Sequence, residues 1–320
     1  MTWTFTDDVD VFLDAAGASL AARPVENTLV LTVTETLRRG GPHAYGEGTP
    51  VLGWWRGDGG EVAGTLVRTP PYPPLLGTVA PEAVAPLIEV LPMSGVDADR
   101  ATAVALAAHW PGHRVEQEQR LYRLGELTPP SPAPTGRPRA ATGADRTLLV
   151  DWHRAFAGQV GQPGTHAGRL VDERTTDGGL TLWEDAGAPV SMAGVSRRIA
   201  GTVRVATVYT PPEHRGRGYA AAVTAEVSRA ARAAGVREVL LFADLANPTS
   251  NGVYRRIGYE PVSDRLFITA EPQVTDGDGD APRGQVWLVP RTWCGGGGTG
   301  TADRSCGRAP SPIGAARRCM

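Results

Sequence analysis

The chain contains no lysine; its 32 basic residues are all arginine, and 34 acidic residues bring the formal net charge to −2. That balance provides no chain-wide basic surface, so no nucleic-acid partner is expected. Cysteine is nearly absent too. Cys294, Cys306 and Cys319 all lie near the C-terminus, which leaves the body without a disulfide framework or a thiolate nucleophile. Three widely spaced cysteines with no histidine beside them also make a poor zinc site, and no metal is expected. No apolar run reaches the ~18–20 residues that a membrane-crossing helix needs. The opening MTWTFTDDVDVF has neither the basic flank nor the apolar core of a signal peptide. The expectation is a cytoplasmic protein without membrane attachment.

What the chain does have is 320 residues, 41% hydrophobic and 21% charged, enough for two ordinary domains. Residues 128–143, TPPSPAPTGRPRAATG, read as a Pro-rich linker and as the strongest boundary. They separate a first domain, 1–127, from a second, 144–270, and residues 271–320 read as a low-complexity, disordered tail. In the first half the patterns predict helices at 7–22, 27–38, 81–91 and 100–110, with strands at 51–55, 62–68 and 114–124. In the second they predict helices at 144–157, 165–175, 216–234 and 248–257. Strands are predicted at 180–184, 190–196, 202–210, 236–243 and 259–268. A hairpin signal recurs: Trp55, Gly59-Gly60, then Val62-Ala63-Gly64, and Trp183, Gly187, then Val190 and Ala193-Gly194. Both halves are mixed α/β, and the recurrence indicates an internal duplication.

The chemistry-bearing stretch is Val203–Tyr259. An apolar strand, VRVATVYT, leads through PPEHR into RGRGYA, which opens an amphipathic helix closed by Gly235. Gly216 and Gly218 permit a tight turn with exposed backbone N–H groups at a helix N-terminus, and Arg215 and Arg217 add positive charge. This is an anion site of the kind that holds a pyrophosphate. The Walker-type phosphate loop is excluded for want of lysine. The dinucleotide fingerprint is a rival, because Gly216-x-Gly218-x-x-Ala221 fits it and Asp244 ends the next strand. It places its first glycine directly at a strand end, however, and here two prolines and a charged tripeptide intervene.

Downstream, Asn247, Ser250, Asn251, Tyr254 and the Gly258-Tyr259 turn follow in order. Together with Arg215-x-x-Gly218-x-Ala220, this pattern resembles the GNAT superfamily of acetyl-CoA-dependent N-acetyltransferases over roughly 140–270. The first half resembles a degenerate copy, reading GTVAPEAVAP where the phosphate loop belongs. The resemblance implies an α/β (α+β) mixed sheet in two tandem copies, with splayed central strands holding the CoA arm. It implies that Val208, Tyr209 and Thr210 pair with the pantetheine arm. The amides of Arg215, Gly216, Arg217, Gly218, Tyr219 and Ala220 would cradle the pyrophosphate, and Asn247 and Asn251 would hold the pantetheine end. Tyr254 would protonate the departing thiolate. A thioester is already activated, so no covalent intermediate is required. The thiol pKa, about 8.5, lies below that of tyrosine, about 10, so a tyrosine acid is chemically reasonable.

The acetyl-CoA cosubstrate would meet a small-molecule or peptide amine in a ternary complex, on a monomer or homodimer. Strand 202–210 carries no carboxylate, which leaves Glu184, Asp185, Asp244 or water as the base. A non-catalytic acyl-CoA sensor or scaffold is the alternative reading, and an NAD(P)-dependent oxidoreductase a more distant one. Asp276-x-Asp278-x-Asp280 lacks the glycine and terminal glutamate of a calcium loop. His109 and His113 have helical spacing, but Pro111-Gly112 breaks any helix between them.

Overall fold

A computed structural model describes residues 2–160 and 164–271. One order of elements occurs twice. The first pass is β1 (Trp3–Thr6), α1 (Val9–Ala22), α2 (Thr28–Gly40), β2 (Val51–Arg56), β3 (Val62–Arg68), β4 (Leu75–Val79), a 3-10 turn at Pro81–Ala83, α3 (Val84–Val90), β5 (Gly95–Asp99), α4 (Arg100–Ala107) and β6 (His113–Leu124). The second is β7 (Arg137–Ala140), a 3-10 turn at Gly143–Asp145, α5 (Arg146–Gln159), α6 (Ala167–Thr176), β8 (Leu180–Asp185), β9 (Ala188–Val195), β10 (Thr202–Tyr209), a 3-10 turn at Pro212–His214, α7 (Tyr219–Ala233), β11 (Glu238–Asp244), α8 (Pro248–Arg256) and β12 (Tyr259–Ala270). The mixed α/β architecture and its repetition are as the residue patterns indicate.

Four strands are additions to that reading. Gly77 interrupts the apolar run of β4, and Asp97 and Asp99 interrupt that of β5. β1 is short. β7 lies inside the Pro-rich segment, where Pro138 is tolerated because β7 ends the sheet and pairs with β8 alone. The helix read from Gly216 begins instead at Tyr219, because Gly216 and Gly218 adopt left-handed φ values of 75° and 85°. Cys294, Cys306, Cys319, the Asp276–Asp280 run and the apolar stretch 285–293 lie outside the described residues.

The twelve strands form one sheet in the order β1-β2-β3-β4-β5-β12-β6-β11-β10-β9-β8-β7. Its centre is an exchange. β12, the last strand of the second pass, pairs with β5 of the first, and β6, the last of the first pass, pairs with β11 of the second. The two exchanged strands also pair with each other, from Tyr259 opposite Leu124 to Ala270 opposite His113.

Side chains alternate across the sheet, so each face has its own core. In β2, Leu52 and Trp54 pack under α1 and α2, while Trp55 joins Leu66, Leu76, Leu87 and Leu106 under α3 and α4. In the second pass, Leu149 and Val171 of α5 and α6 cover Leu182, Met192 and Tyr209. On the opposite face, Val223 and Val227 of α7 cover Val203, Val205, Val239 and Leu241. Tyr122 and Leu124 of β6 are fully part of that last core. A strand from the first pass therefore helps build the region where the second pass carries its candidate chemistry.

Candidate functional site

The site begins where two neighbouring strands part. β10 and β11 run parallel and in register from Thr202–Glu238 to Val205–Leu241. There their pairing stops, although both continue. β11 goes on along β6 to Asp244, opposite Gln119, and β10 goes on along β9 to Tyr209, opposite Met192. A wedge opens between them. Its cause is local: Gly194 faces Ala206 and Met192 faces Tyr209, so three residue steps on β10 span two on β9. This is a β-bulge. It shifts the alternation by one, so that Val203, Val205 and Val208 face α7 while Tyr209 packs with the α5–α6 core against Trp152. Thr207, inside the bulge, is left-handed at φ 55° and buried. For a β-branched residue that conformation costs about 1–3 kcal/mol.

The chain leaving β10 delivers the glycine loop to the mouth of this wedge. Arg215 Nε donates to Thr210 O at 3.0 Å and folds the loop back onto the strand end. Gly216 and Gly218 then turn the chain so that α7 starts at Tyr219. After Arg215 N, which reaches Pro212 O, the next amide to find a backbone acceptor is Ala222 N, on Gly218 O at 3.0 Å. Among the described residues the intervening N–H groups, Gly216 to Ala221, have no such acceptor. They lie at an exposed helix N-terminus beside the exposed Arg215 and Arg217. The arrangement is a cradle for an anion.

Tyr219 is buried, and its hydroxyl donates to Asp185 Oδ2 at 2.5 Å. That bond first, and a second from Thr135, hold the Asp185 carboxyl below the ordinary carboxylate range. Thr135 belongs to the Pro-rich segment, which passes over the loop. Its carbonyl accepts from Trp183 Nε1 at 2.8 Å, and Pro134 lies 3.8 Å from where a Cβ on Gly218 would sit.

On the far side of the wedge, α8 carries Asn251 and Tyr254, and Asn247 stands at its N-terminus. Asn247 is exposed and caps the helix, its Oδ1 accepting from Ser250 N at 3.0 Å. The Asn251 amide group is spent inside the protein. Its Oδ1 accepts from Tyr122 Oη at 2.7 Å, and its Nδ2 donates to Asp244 O at 2.7 Å and to Asn247 O at 2.8 Å. Asn251 thus ties the end of β11 and the start of α8 to a tyrosine of the exchanged strand. Tyr254 follows one turn later, half-buried, its ring 6.2 Å from that of Tyr259. Burial pushes its pKa up to about 12.

The structure brings Val208–Thr210, the loop 215–220 and α8 around one wedge, but the backbone of the strand end is partly engaged. Tyr209 O accepts from Ser191 Oγ at 3.1 Å, the Ser191 and Thr210 hydroxyls lie 2.9 Å apart, and Thr210 O holds Arg215. Val208 lies within the bulge and has no register partner on β9. Of the three carboxylates considered as bases, Glu184 pairs with Arg139 at 2.6 Å, and Asp185 accepts from Tyr219. Asp244 Oδ1 accepts from Ala246 N at 2.8 Å.

Sequence reading missed Tyr122, Thr207 and the overpass at Pro134–Thr135. The first acts from 129 positions away, through a strand exchange that no local pattern announces. Among the described residues only β4–β5 and β10–β11 pair in parallel, so the doubly wound parallel sheet of the dinucleotide fingerprint is not formed. Nor does any group of three or more potential ligands, among the described residues, gather as a metal centre.

Residues 147–259 match the model of the Acetyltransferase (GNAT) family. No curated protein matches the chain. Among solved structures, an acetyltransferase from the GNAT family from Colwellia psychrerythraea superposes with a TM-score of 0.57 at 11% identity, covering 84% of this chain and 99% of that one. A GCN5-related N-acetyltransferase from Sphaerobacter thermophilus gives 0.55 at 19% identity, with 83% and 94% covered. One from Kribbella flavida gives 0.51 at 18%, with 78% and 96% covered. These likenesses concern the fold, and their coverage takes in both passes. The family match and the wedge with its glycine loop fall on the same segment, within residues 147–259, and the solved neighbours share its fold.

Proposed function

We propose that this protein is an acetyl-CoA-dependent N-acetyltransferase whose second half binds the cofactor and transfers the acetyl group directly to an amine. The observation that carries this reading is the wedge between β10 and β11. It opens onto a glycine loop whose amides lack backbone acceptors. A pyrophosphate fits the loop, with Gly216–Ala220 amides and the Arg215 and Arg217 guanidinium groups as donors. The pantetheine arm then enters the wedge, pairing with the backbone at Val208. Tyr209 and Thr210 shape the wall of the wedge more than they offer acceptors, since their carbonyls are taken. Asn247 borders the arm, and Asn251 fixes the backbone around it.

Acetyl transfer needs a nucleophile, a leaving group and two proton movements. The neutral amine attacks the thioester carbonyl, the tetrahedral adduct collapses, and the thiolate leaves. Tyr254 donates its proton to that sulfur; with its pKa raised by burial, it holds the proton throughout the ordinary assay range. The amine proton departs to water, because Glu184, Asp185 and Asp244 are already engaged, and the Tyr254 tyrosinate regains a proton from solvent.

That same engagement favours a second reading, an acyl-CoA sensor that binds without turnover. Calorimetry of the full chain with acetyl-CoA, followed by thiol release against a panel of amines, separates the two. Binding with amine-dependent thiol release supports the enzyme; binding without release at any amine supports the sensor. Absence of CoA binding overturns both.

A further inference from the structure

The β10 bulge has an internal control. In the first pass, Leu66 faces Leu76 and Gly64 faces Val79, so β4 bulges against β3 at the matching place. In that register Leu76 and Val79 stand where Ala206 and Tyr209 stand, so Gly77 and Thr78 occupy the places of Thr207 and Val208. The two bulges are held differently. Neither Gly77 nor Thr78 is left-handed, and the Thr78 N–H donates to Asn27 Oδ1 at 2.9 Å. Thr207 is left-handed. A bulge of this kind therefore does not require a left-handed residue, and the strain at Thr207 is particular to the half that carries the glycine loop.

What holds it there is an arginine from α6. Arg174 is 4% exposed and lies across β9 at Gly194, where a Cβ would come within 2.3 Å of its Nη1. The same Nη1 donates to Thr207 Oγ1 at 3.3 Å. Below it stands His153 of α5, also 4% exposed, its Nδ1 bonded to Leu149 O at 2.9 Å. The guanidinium sits on the α5–α6 face, so it reaches the bulge from behind the wedge.

We propose that Arg174 is a positioning residue for acetyl-CoA: by holding the Thr207 hydroxyl it keeps Thr207 left-handed and the Thr207–Val208 peptide turned toward the wedge, where the cofactor arm pairs. A left-handed residue turns the following peptide by roughly a right angle relative to an extended one, so releasing it redirects that peptide's polar groups. The inference rests on the cofactor reading above and adds the group that sets the wedge geometry.

The test uses the full chain with Thr207→Ser, which keeps the hydroxyl, and Thr207→Gly, which removes hydroxyl and strain together. Glycine accepts a left-handed φ freely, so this variant is expected to fold with a melting temperature equal to or above wild type. Its acetyl-CoA affinity, read by calorimetry, is expected to fall about tenfold or more with the loss of a charge-assisted hydrogen bond. Amide exchange across 205–210 should accelerate by a similar factor, and Thr207→Ser should restore both. A gain in stability with a loss of affinity is not what a purely structural role gives. Wild-type affinity or unchanged exchange in the glycine variant overturns the latch while leaving the cofactor reading intact. If the wild-type chain does not bind acetyl-CoA, the cofactor reading fails first and the positioning role falls with it, whatever the exchange shows.

Discussion

Tyr254 is the residue on which the proposed chemistry turns. Phenylalanine keeps the ring against Tyr259 and removes only the proton donor. Tyr254→Phe is expected to lower kcat and kcat/KM together by at least ~100-fold while leaving acetyl-CoA affinity nearly unchanged. Steady-state kinetics and calorimetry check the two halves of that statement. The raised pKa adds a pH signature. A hydroxyl that titrates near 12 stays protonated where an ordinary tyrosine, at about 10, is half ionised. The wild-type kcat profile is therefore expected to show no alkaline fall centred near pH 10. A fall there that vanishes in the Phe variant would contradict the burial argument.

Two element termini carry opposite lessons about backbone. At the start of α7, Gly218 has room: its nearest neighbour is Pro134, at ordinary contact distance. The constraint is its φ of 85°, which a β-branched side chain rarely adopts. Gly218→Val is expected to leave the fold intact and abolish measurable acetyl-CoA binding, because the loop must abandon the conformation that aims its amides. Unchanged affinity in a folded variant would refute the cradle.

At the 3-10 turn Gly143–Asp145 that leads into α5, a capping box joins Thr142 and Asp145, and Arg139 of β7 pairs with the same carboxylate at 2.7 Å. Arg139 foremost, and the bonds from Thr142, draw the Asp145 pKa down to about 2. A folded-state pKa below the unfolded one stabilises the fold above the unfolded value, and this contribution is lost as pH falls through the folded one. Asp145→Ala should cost about 0.5–2 kcal/mol at pH 7. In denaturant titrations the gap between variant and wild type should close as pH falls from about 4 toward 2.

At the scale of the whole molecule the strand exchange makes the two passes interdependent. Neither can be completed without a strand from the other, so unfolding is expected to be one cooperative transition. Fluorescence of Trp54 and Trp55 in the first pass and of Trp152 and Trp183 in the second, isolated by Trp→Phe variants, should report coincident midpoints. Separated midpoints would show that each pass is stable alone.

The exchange also contains a buried ion pair. Arg265 of β12 lies 3.2 Å from Asp97 of β5, with side chains 5% and 0% exposed, and donates further to Leu76 O and Asp97 O. Removing one partner leaves a buried charge uncompensated, so Arg265→Ala should destabilise the chain by about 3–5 kcal/mol. Replacing the pair together by apolar residues should recover much of that loss. Thermal and chemical denaturation check both.

Local chemistry is legible in the amino-acid sequence by itself. Hydrophobic period separates helices from strands, and the left-handed Gly216 and Gly218 are what a tight turn into α7 demands. The spacing of Asn251 and Tyr254 places both on one short helix. These features depend on neighbours within a few residues, and a linear pattern records such neighbours. Tertiary structure alone decides the rest. β4 and β5 are strands because flanking strands satisfy their hydrogen bonds despite Gly77 and Asp97. Part of the Pro-rich segment is β7 because a sheet edge asks little of a proline. The reach of Tyr122 to Asn251 and of Arg265 to Asp97 depends on which strand fills the centre of the sheet. Burial gives Arg174, an ordinary basic residue in a polar helix, a hold on the bulge. Each of these is a contact across a long sequence separation, and its free energy appears only when the chain has closed on itself.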